Sequence, residues 1–179
     1  RFRHRLEEHK LAPKILATVN ELLERKGLLL RAGTVVDASL IAAPSSTKNQ
    51  GGQRDPEMKQ SKKGQQWYFG MKAHIGVDAE SGLVHTVRGT SGAVNDVVEA
   101  NALLHGQESE AIGDAGYQGA DKRPDAKSGV RWHVAMRPGK RKVLDKTQPL
   151  GRLMDEFEKL KASIRAKVEH PFRVVKRQF

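Results

Sequence analysis

"WYFGMKAHIGVDAESGLVHTVRGT", residues 67–90, is the stretch on which the fold turns. Trp67, Phe69, Met71, Ala73, Ile75 and Val77 alternate with Tyr68, Lys72, His74 and Asp78. Side chains two apart share a face of a strand, so this period predicts a strand with one apolar face. "AESG" at 79–82 supplies a turn, and "LVHTVRGT" continues as a second strand. The two runs predict a hairpin, with Asp78 solvated at its turn.

On the N-terminal side, "GTVVDASLIAAP" (33–44) is β-branched and ends at Pro44, which predicts another strand. Residues 45–66 are polar, without a period, and predict a loop. Residues 1–30 predict helix: Leu11, Ile15, Val19 and Leu22 recur at helical spacing, and Gly27 provides a stop. The chain opens inside "RFRHRLEEHK" without an initial Met, so residues 1–31 are expected to be the helical tail of an upstream domain. Residues 32–179 are then a core truncated at its C-terminus.

On the other side, "AVNDVVEANALL" (93–104) predicts a helix with Val94, Val97, Val98 and Leu104 inward and Asp96 and Glu99 solvated. "EAIGDAG" (110–116) predicts a fourth strand, "GADKRPDAKSG" (119–129) a weak helix broken near Pro124, and "VRWHVAM" (130–136) a fifth strand that holds His133. Residues 150–170 give the strongest helix, with Leu153, Phe157, Leu160, Ile164 and Val168 on one stripe. Three strands followed by alternating helices and strands predict an α/β architecture, a mixed five-stranded sheet flanked by helices. That order is also the order of the ribonuclease-H-like fold.

The 179 residues carry a formal charge of +11, which favours a polyanionic partner. Basic residues cluster at Lys48, Arg54, Lys59, Lys62 and Lys63, and again at Arg137, Lys140, Arg141, Lys142 and Lys146. Both groups fall in Gly, Pro and Gln-rich sequence that predicts irregular loops. The chain has no cysteine, which excludes disulfide scaffolds and thiolate zinc sites. No apolar run reaches the length of a membrane span. Neither G-x-G-x-x-G nor G-x4-G-K-[ST] occurs, so "GDAGYQG" is not a phosphate-cradling loop. H-E-x-x-H and G-x-S-x-G are absent too.

Three acids stand out against this frame. Asp37 interrupts the apolar run Val35-Val36-Asp37-Ala38, and Asp114 follows Ala111-Ile112-Gly113. An unpaired carboxylate at such a place is costly, and two that face each other repel unless a cation neutralises them. Hard divalent ions with oxygen ligands suit that demand. Plainer readings exist: Asp37 accepting backbone N–H groups at a strand end, Asp114 opening an Asx turn, and Glu169 pairing with Arg165 on a helix surface. Arg165, Glu169, Phe172 and Lys176 share one helix face, provided that the helix continues past Pro171.

"TVVDASLI", "AIGDAGYQG" and "RAKVEHPFRVVKRQF", with "KKGQQWYFGMKAHIGVD" between the first two, resemble the DDE transposases of bacterial insertion sequences. The likeness covers roughly residues 30–179 and is nearest to the insertion-sequence-five group. The sister insertion-sequence-four group carries Tyr-x2-Arg-x3-Glu-x6-Lys, matched here by Arg165, Glu169 and Lys176, with Ala162 at the Tyr position. The resemblance implies a ribonuclease-H-like catalytic core in which Asp37, Asp114 and Glu169 hold two Mg2+ ions, or Mn2+ in their place, when DNA is bound. It implies DNA strand cleavage at insertion-sequence ends and strand transfer into target DNA, by a homodimer when synapsed, in the bacterial cytoplasm and near the nucleoid, away from any membrane. Arg165, Lys176, Arg137, Lys140, Arg141, Lys62 and Lys63 are the expected DNA contacts. Two other readings fit the same residues: a metal-dependent nuclease without strand transfer, and a non-catalytic DNA-binding remnant of a transposase.

Overall fold

The computed structural model describes residues 2–44, 48 and 51–178. Helices α1 (Phe2–Glu8) and α2 (Leu11–Arg25) precede β1 (Gly33–Ala42), β2 (Lys59–Lys63), β3 (Gln66–Asp78) and β4 (Val84–Ser91). A short α3 (Asp96–Glu99) and a 3-10 turn (Ala100–Leu103) lead to β5 (Glu110–Gly113). Two further 3-10 turns, Ala115–Tyr117 and Ala120–Lys122, precede β6 (Arg131–Val134), α4 (Pro138–Lys142) and the long α5 (Pro149–Gln178).

The hairpin read from 67–90 is present: β3 and β4 pair antiparallel from Met71↔Ser91 to Val77↔Val84. On its other side β3 pairs antiparallel with β1, from Thr34↔Asp78 to Ala42↔Gly70. β1 then pairs parallel with β5, and β5 parallel with β6. The result is a mixed six-stranded sheet, with β1 and β3 interior. β1 therefore buries both faces. Val35 joins Ile75, Val77 and Ile112 beneath Val168 and Phe172 of α5, while Val36 joins Ala100, Leu103, Ala111, Tyr117 and Ala120 on the opposite side. Truncating Phe172 to Ala would cost about 3–5 kcal/mol, because it is the ring that seals α5 to the sheet. A mixed sheet in this order, with helices on both faces, is the ribonuclease-H-like fold.

Several expectations require correction. The sheet has six strands, not five, because part of the stretch expected as a loop pairs as β2 with β3, from Lys59↔Gly70 to Lys63↔Gln66. "KQSKK" has no strand signature of its own; the protruding end of β3 supplies a template, and Gly64 (φ 62°) turns the chain. The portions of that expected loop at 45–47 and 49–50 lie outside the described residues. The weak helix expected at 119–129 is only a 3-10 turn, and the helix expected over 93–104 is α-helical for Asp96–Glu99 alone.

Asp78 is not solvated. It is 1% exposed and accepts the N–H groups of Leu30, Arg31, Glu80 and Ser81 at 2.7–3.0 Å. Burial acts to raise its pKa, but these donors prevail and hold it below the usual aspartate range. Asp96 and Glu99 are engaged too, by Lys72 at 2.8 Å and Arg88 at 2.6 Å. His74, on the face read as polar, is fully buried and bonds Thr90 at 2.8 Å.

The α5 stripe splits. Ile164 and Val168 pack against the sheet, but Leu153, Phe157 and Leu160 are about half exposed or more. Here the buried positions are Asp155, Glu158 and Lys161. β6 ends at Val134, so the first half of α5 meets the end of that strand, where Phe157 packs edge-on against His133, and the backbone just beyond it. Glu158 accepts the Met136 N–H and Lys161 donates to the Val134 carbonyl, each at 2.9 Å. As expected, the helix runs through Pro171. No helix among the described residues is long and apolar enough to cross a membrane.

Candidate active site

The parallel pairing of β1 with β5 ends at Val35↔Ile112. Two residues further along each strand come Asp37 and Asp114, on the face that Val35 and Ile112 share. Both acids therefore stand just beyond the carboxyl end of the parallel β1–β5 ladder, Asp37 midway along β1 and Asp114 just past β5; open α/β sheets bind ligands at such ends.

Asp37 accepts the N–H of Ala38 at 2.8 Å through Oδ1. Burial pushes its pKa up to about 6, helped by the charges of Asp114 and Asp96 and opposed by the Ala38 N–H and by Arg165. Asp114 Oδ1 accepts the Gly116 N–H at 2.8 Å and caps the 3-10 turn Ala115–Tyr117. Asp114 thus opens the expected turn, whereas Asp37 accepts the Ala38 N–H in mid-strand, not at a strand end. Neither bond exhausts a carboxylate, which offers about four lone-pair sites.

That turn folds Tyr117 back under the strand. A Cβ at position 113 would lie 2.9–3.0 Å from the Tyr117 side chain, so only Gly113 permits the approach. Tyr117 is 1% exposed, and its hydroxyl is buried without a hydrogen-bond partner among the described residues. Burial raises its pKa, and the charges of Asp37, Asp96 and Asp114 raise it further.

Arg165 is half-buried on α5, and its Nε is buried without a hydrogen-bond partner among the described residues. Its charge acts on both Asp37 and Tyr117. Glu169 lies one turn further along α5 and is exposed. Among the described residues, no group of three or more His, Asp or Glu side chains is gathered closely enough to hold a metal ion. The structure therefore brings Asp37 and Asp114 together and adds Arg165 and Asp96 to the field of Asp37.

The expected DNA contacts are spread more widely. Lys62 and Lys63 are exposed on β2, with the Lys62 Nζ 6.0 Å from the centre of the exposed Trp67 ring. Arg137 and Lys140 are exposed at α4, and Lys176 is exposed in the last turn of α5. Arg141 is committed: its Nε meets Asp155 at 2.9 Å. The segment 137–146, expected to be irregular, contains α4.

Asp96 and Tyr117 were not singled out from sequence. Asp96 read as one more acid on a polar helix face, and nothing local announces that its Lys72 partner sits on β3. For Tyr117 a signal existed, the small residues Gly113, Ala115 and Gly116 just before a lone aromatic.

A divalent cation fits this site in part. Asp37 and Asp114 are hard oxygen donors; burial first, and then the charge of Asp114, holds the Asp37 pKa up, and a cation beside it would favour the charged form. The unpartnered Arg165 Nε shows the complementary deficit, a buried donor short of an anion.

No solved structure matches the chain. The family described as the transposase DDE domain matches residues 29–179, from the residues just before β1 through α5. The chain belongs to that transposase DDE domain family.

Proposed function

We propose that this chain is the catalytic domain of a bacterial insertion-sequence transposase of the insertion-sequence-five and -four kind, which cleaves DNA at the element's ends and transfers the freed strands to target DNA. The observation that carries the reading is the Asp37–Asp114 pair just beyond the end of the parallel β1–β5 ladder, with Asp37 pushed up to about 6. Asp37 and Asp114 would hold Mg2+ or Mn2+, with Glu169 of α5 as the third ligand that the resemblance assigns. Bound in pairs, such ions activate a water and stabilise the leaving 3′-oxygen.

The protein's own share of this work is positioning. Arg165 offers its orphaned Nε to a phosphate beside the pair. Lys62 and Lys63 on β2, Arg137 and Lys140 at α4, and Lys176 on α5 would hold duplex backbone by charge. Synapsis of two ends calls for a homodimer, and residues 1–31 serve as the helical tail of an upstream domain. A substrate of this kind places the protein in the cytoplasm beside the nucleoid.

Nicking of supercoiled plasmid with Mg2+ or Mn2+, beside an Asp114→Asn control, tests this. Metal-dependent nicking by the wild type and none by the variant is expected. A second reading, DNA binding without cleavage, is favoured by one observation: among the described residues, no three acids or histidines are gathered closely enough to hold a metal ion. Duplex binding with no metal-dependent nicking would establish it. Nicking without joining would leave a nuclease.

A further inference from the structure

The first half of α5 turns charge inward onto the basic segment that precedes it. Asp155 is 4% exposed, and three cations converge on it: Arg141 at 2.9 Å, Lys159 at 3.1 Å and Lys146 at 3.3 Å. Lys159 comes from α5 itself, but Arg141 and Lys146 come from the segment around α4. The convergence holds the Asp155 carboxyl low, at about 2, through Arg141 first and then Lys159.

A second point of approach, independent of charge, lies one turn away. Gly151 comes so close to the same segment that a Cβ there would stand 1.9 Å from the Asp145 carbonyl oxygen. Asp145 also closes its own turn, accepting the Thr147 N–H at 2.9 Å and the Thr147 hydroxyl at 2.6 Å. Residues 137–148 are therefore folded back onto α5, although their composition reads as a solvated loop. Arg137, Lys140 and Lys142 are left exposed on that folded segment.

We infer that Asp155 is a positioning residue for DNA: by holding Arg141 and Lys146 it fixes the α4 segment on α5, so that Arg137, Lys140 and Lys142 meet duplex phosphates as one preordered set. This rests on the DNA-binding reading above. A loose basic loop would also attract phosphate, but ordering it at the moment of binding would cost part of the gain. The two views differ in sign. If the segment acts by charge alone, Asp155 opposes binding, and removing its charge strengthens the complex. If Asp155 positions the segment, removing its charge weakens the complex although the protein becomes more positive.

The test uses the whole 179-residue chain, a short fluorescent duplex of arbitrary sequence, and a salt series. Asp155→Asn should bind several-fold more weakly at fixed salt, with a salt slope reduced by about 0.9 for each phosphate that the variant no longer neutralises. Amide exchange should quicken in 137–148 and stay unchanged in β1 and β3, and Asp155→Glu should restore part of the affinity. Should Asp155→Asn fail to fold, Arg141→Gln and Lys142→Gln give the answer, because each removes one charge but only the first breaks the pairing with Asp155. Arg141→Gln should then lose the more affinity. Equal or tighter binding by a folded Asp155→Asn, or an Arg141→Gln loss no larger than that of Lys142→Gln, overturns the inference alone. A wild-type chain that does not bind duplex overturns it together with the DNA-binding reading.

Discussion

The carboxylate of Asp78, at the end of β3, accepts the backbone N–H of Arg31 at 2.7 Å, joining the linker after α2 to the β3–β4 turn. The same carboxylate takes the N–H groups of Leu30, Glu80 and Ser81. One side chain thus ties together two segments 47 positions apart in the chain. Its removal takes the acceptor from four part-buried N–H bonds and leaves a buried site unfilled, at about 1 kcal/mol or somewhat more for each bond. Asp78→Ala should therefore lose more than about 3 kcal/mol, and Asp78→Asn, which keeps one acceptor oxygen, should lose less. Urea unfolding would show the midpoint falling with the slope unchanged. A loss within about 0.5 kcal/mol, the range of ordinary surface substitutions, would make Asp78 the solvated turn residue its sequence position suggests.

Asp78 also shows where legibility in the sequence stopped. The period of 67–77 and the β-branched run at 33–42 were readable, because apolar burial alternates with the backbone whatever the partner. Partners were not readable. Asp78 sits one residue past an apolar run, and nothing local says that Leu30 and Arg31 return to it. β2 was missed because "KQSKK" becomes a strand only through the free edge of β3. The α5 stripe misled for a related reason: its period is real, but the sheet ends at Val134, and the helix there buries Glu158 and Lys161 against backbone and Asp155 among cationic side chains. Asp37 and Asp114 were visible as carboxylates at the ends of apolar runs. No pattern in sequence says how far Glu169 stands from them.

Two buried groups should make stability depend on acidity in opposite directions. Asp37 is pushed up to about 6 from an unfolded value near 3.8. Between those values the folded protein holds a proton that the unfolded chain has lost, so this group lowers stability as pH rises from about 4 to 6. His85 is pulled down to about 4 by burial and by the His105 ring, against Glu108 and Asp78, with Arg31 adding to the downward pull. Thr34 donates to Glu108 and so accepts from His85, which places the proton of the neutral ring on Nε2. Between about 4 and 6.5 only the unfolded chain protonates this ring, so His85 raises stability as pH rises. Asp37→Asn removes the falling component. Its stability, measured by denaturant unfolding from pH 4 to 6.5, should climb with pH more steeply than that of the wild type. Parallel curves would mean that Asp37 titrates as it does in the unfolded chain.

Arg165 should be readable through Asp37. Its charge lowers the Asp37 pKa, so Arg165→Met should move the Asp37 titration above about 6. Carbon-detected NMR of the Asp37 carboxyl would report the midpoint directly. Arg165→Lys should keep the charge and most of the midpoint, yet bind duplex more weakly, since lysine cannot offer the planar fork of guanidinium. An unmoved midpoint in Arg165→Met would remove Arg165 from the site.

Glu169 separates catalysis from folding more cleanly than either aspartate. It is exposed on α5, outside the Asp37–Asp114 pair, so Glu169→Gln should change stability by no more than about 0.5 kcal/mol. If Glu169 supplies the third ligand, the same substitution should abolish metal-dependent nicking at saturating DNA and weaken Mn2+ binding measured by calorimetry. Lys176 lies almost two turns further on the same helix face and serves as its control. Lys176→Ala should leave Mn2+ binding unchanged and weaken duplex binding, because lysine meets phosphate as a point charge. Both variants start from exposed positions, so neither effect can be ascribed to a damaged core. Full nicking by Glu169→Gln would place the third acid elsewhere, and Asp96, already in the field of Asp37, would be the next carboxylate to replace.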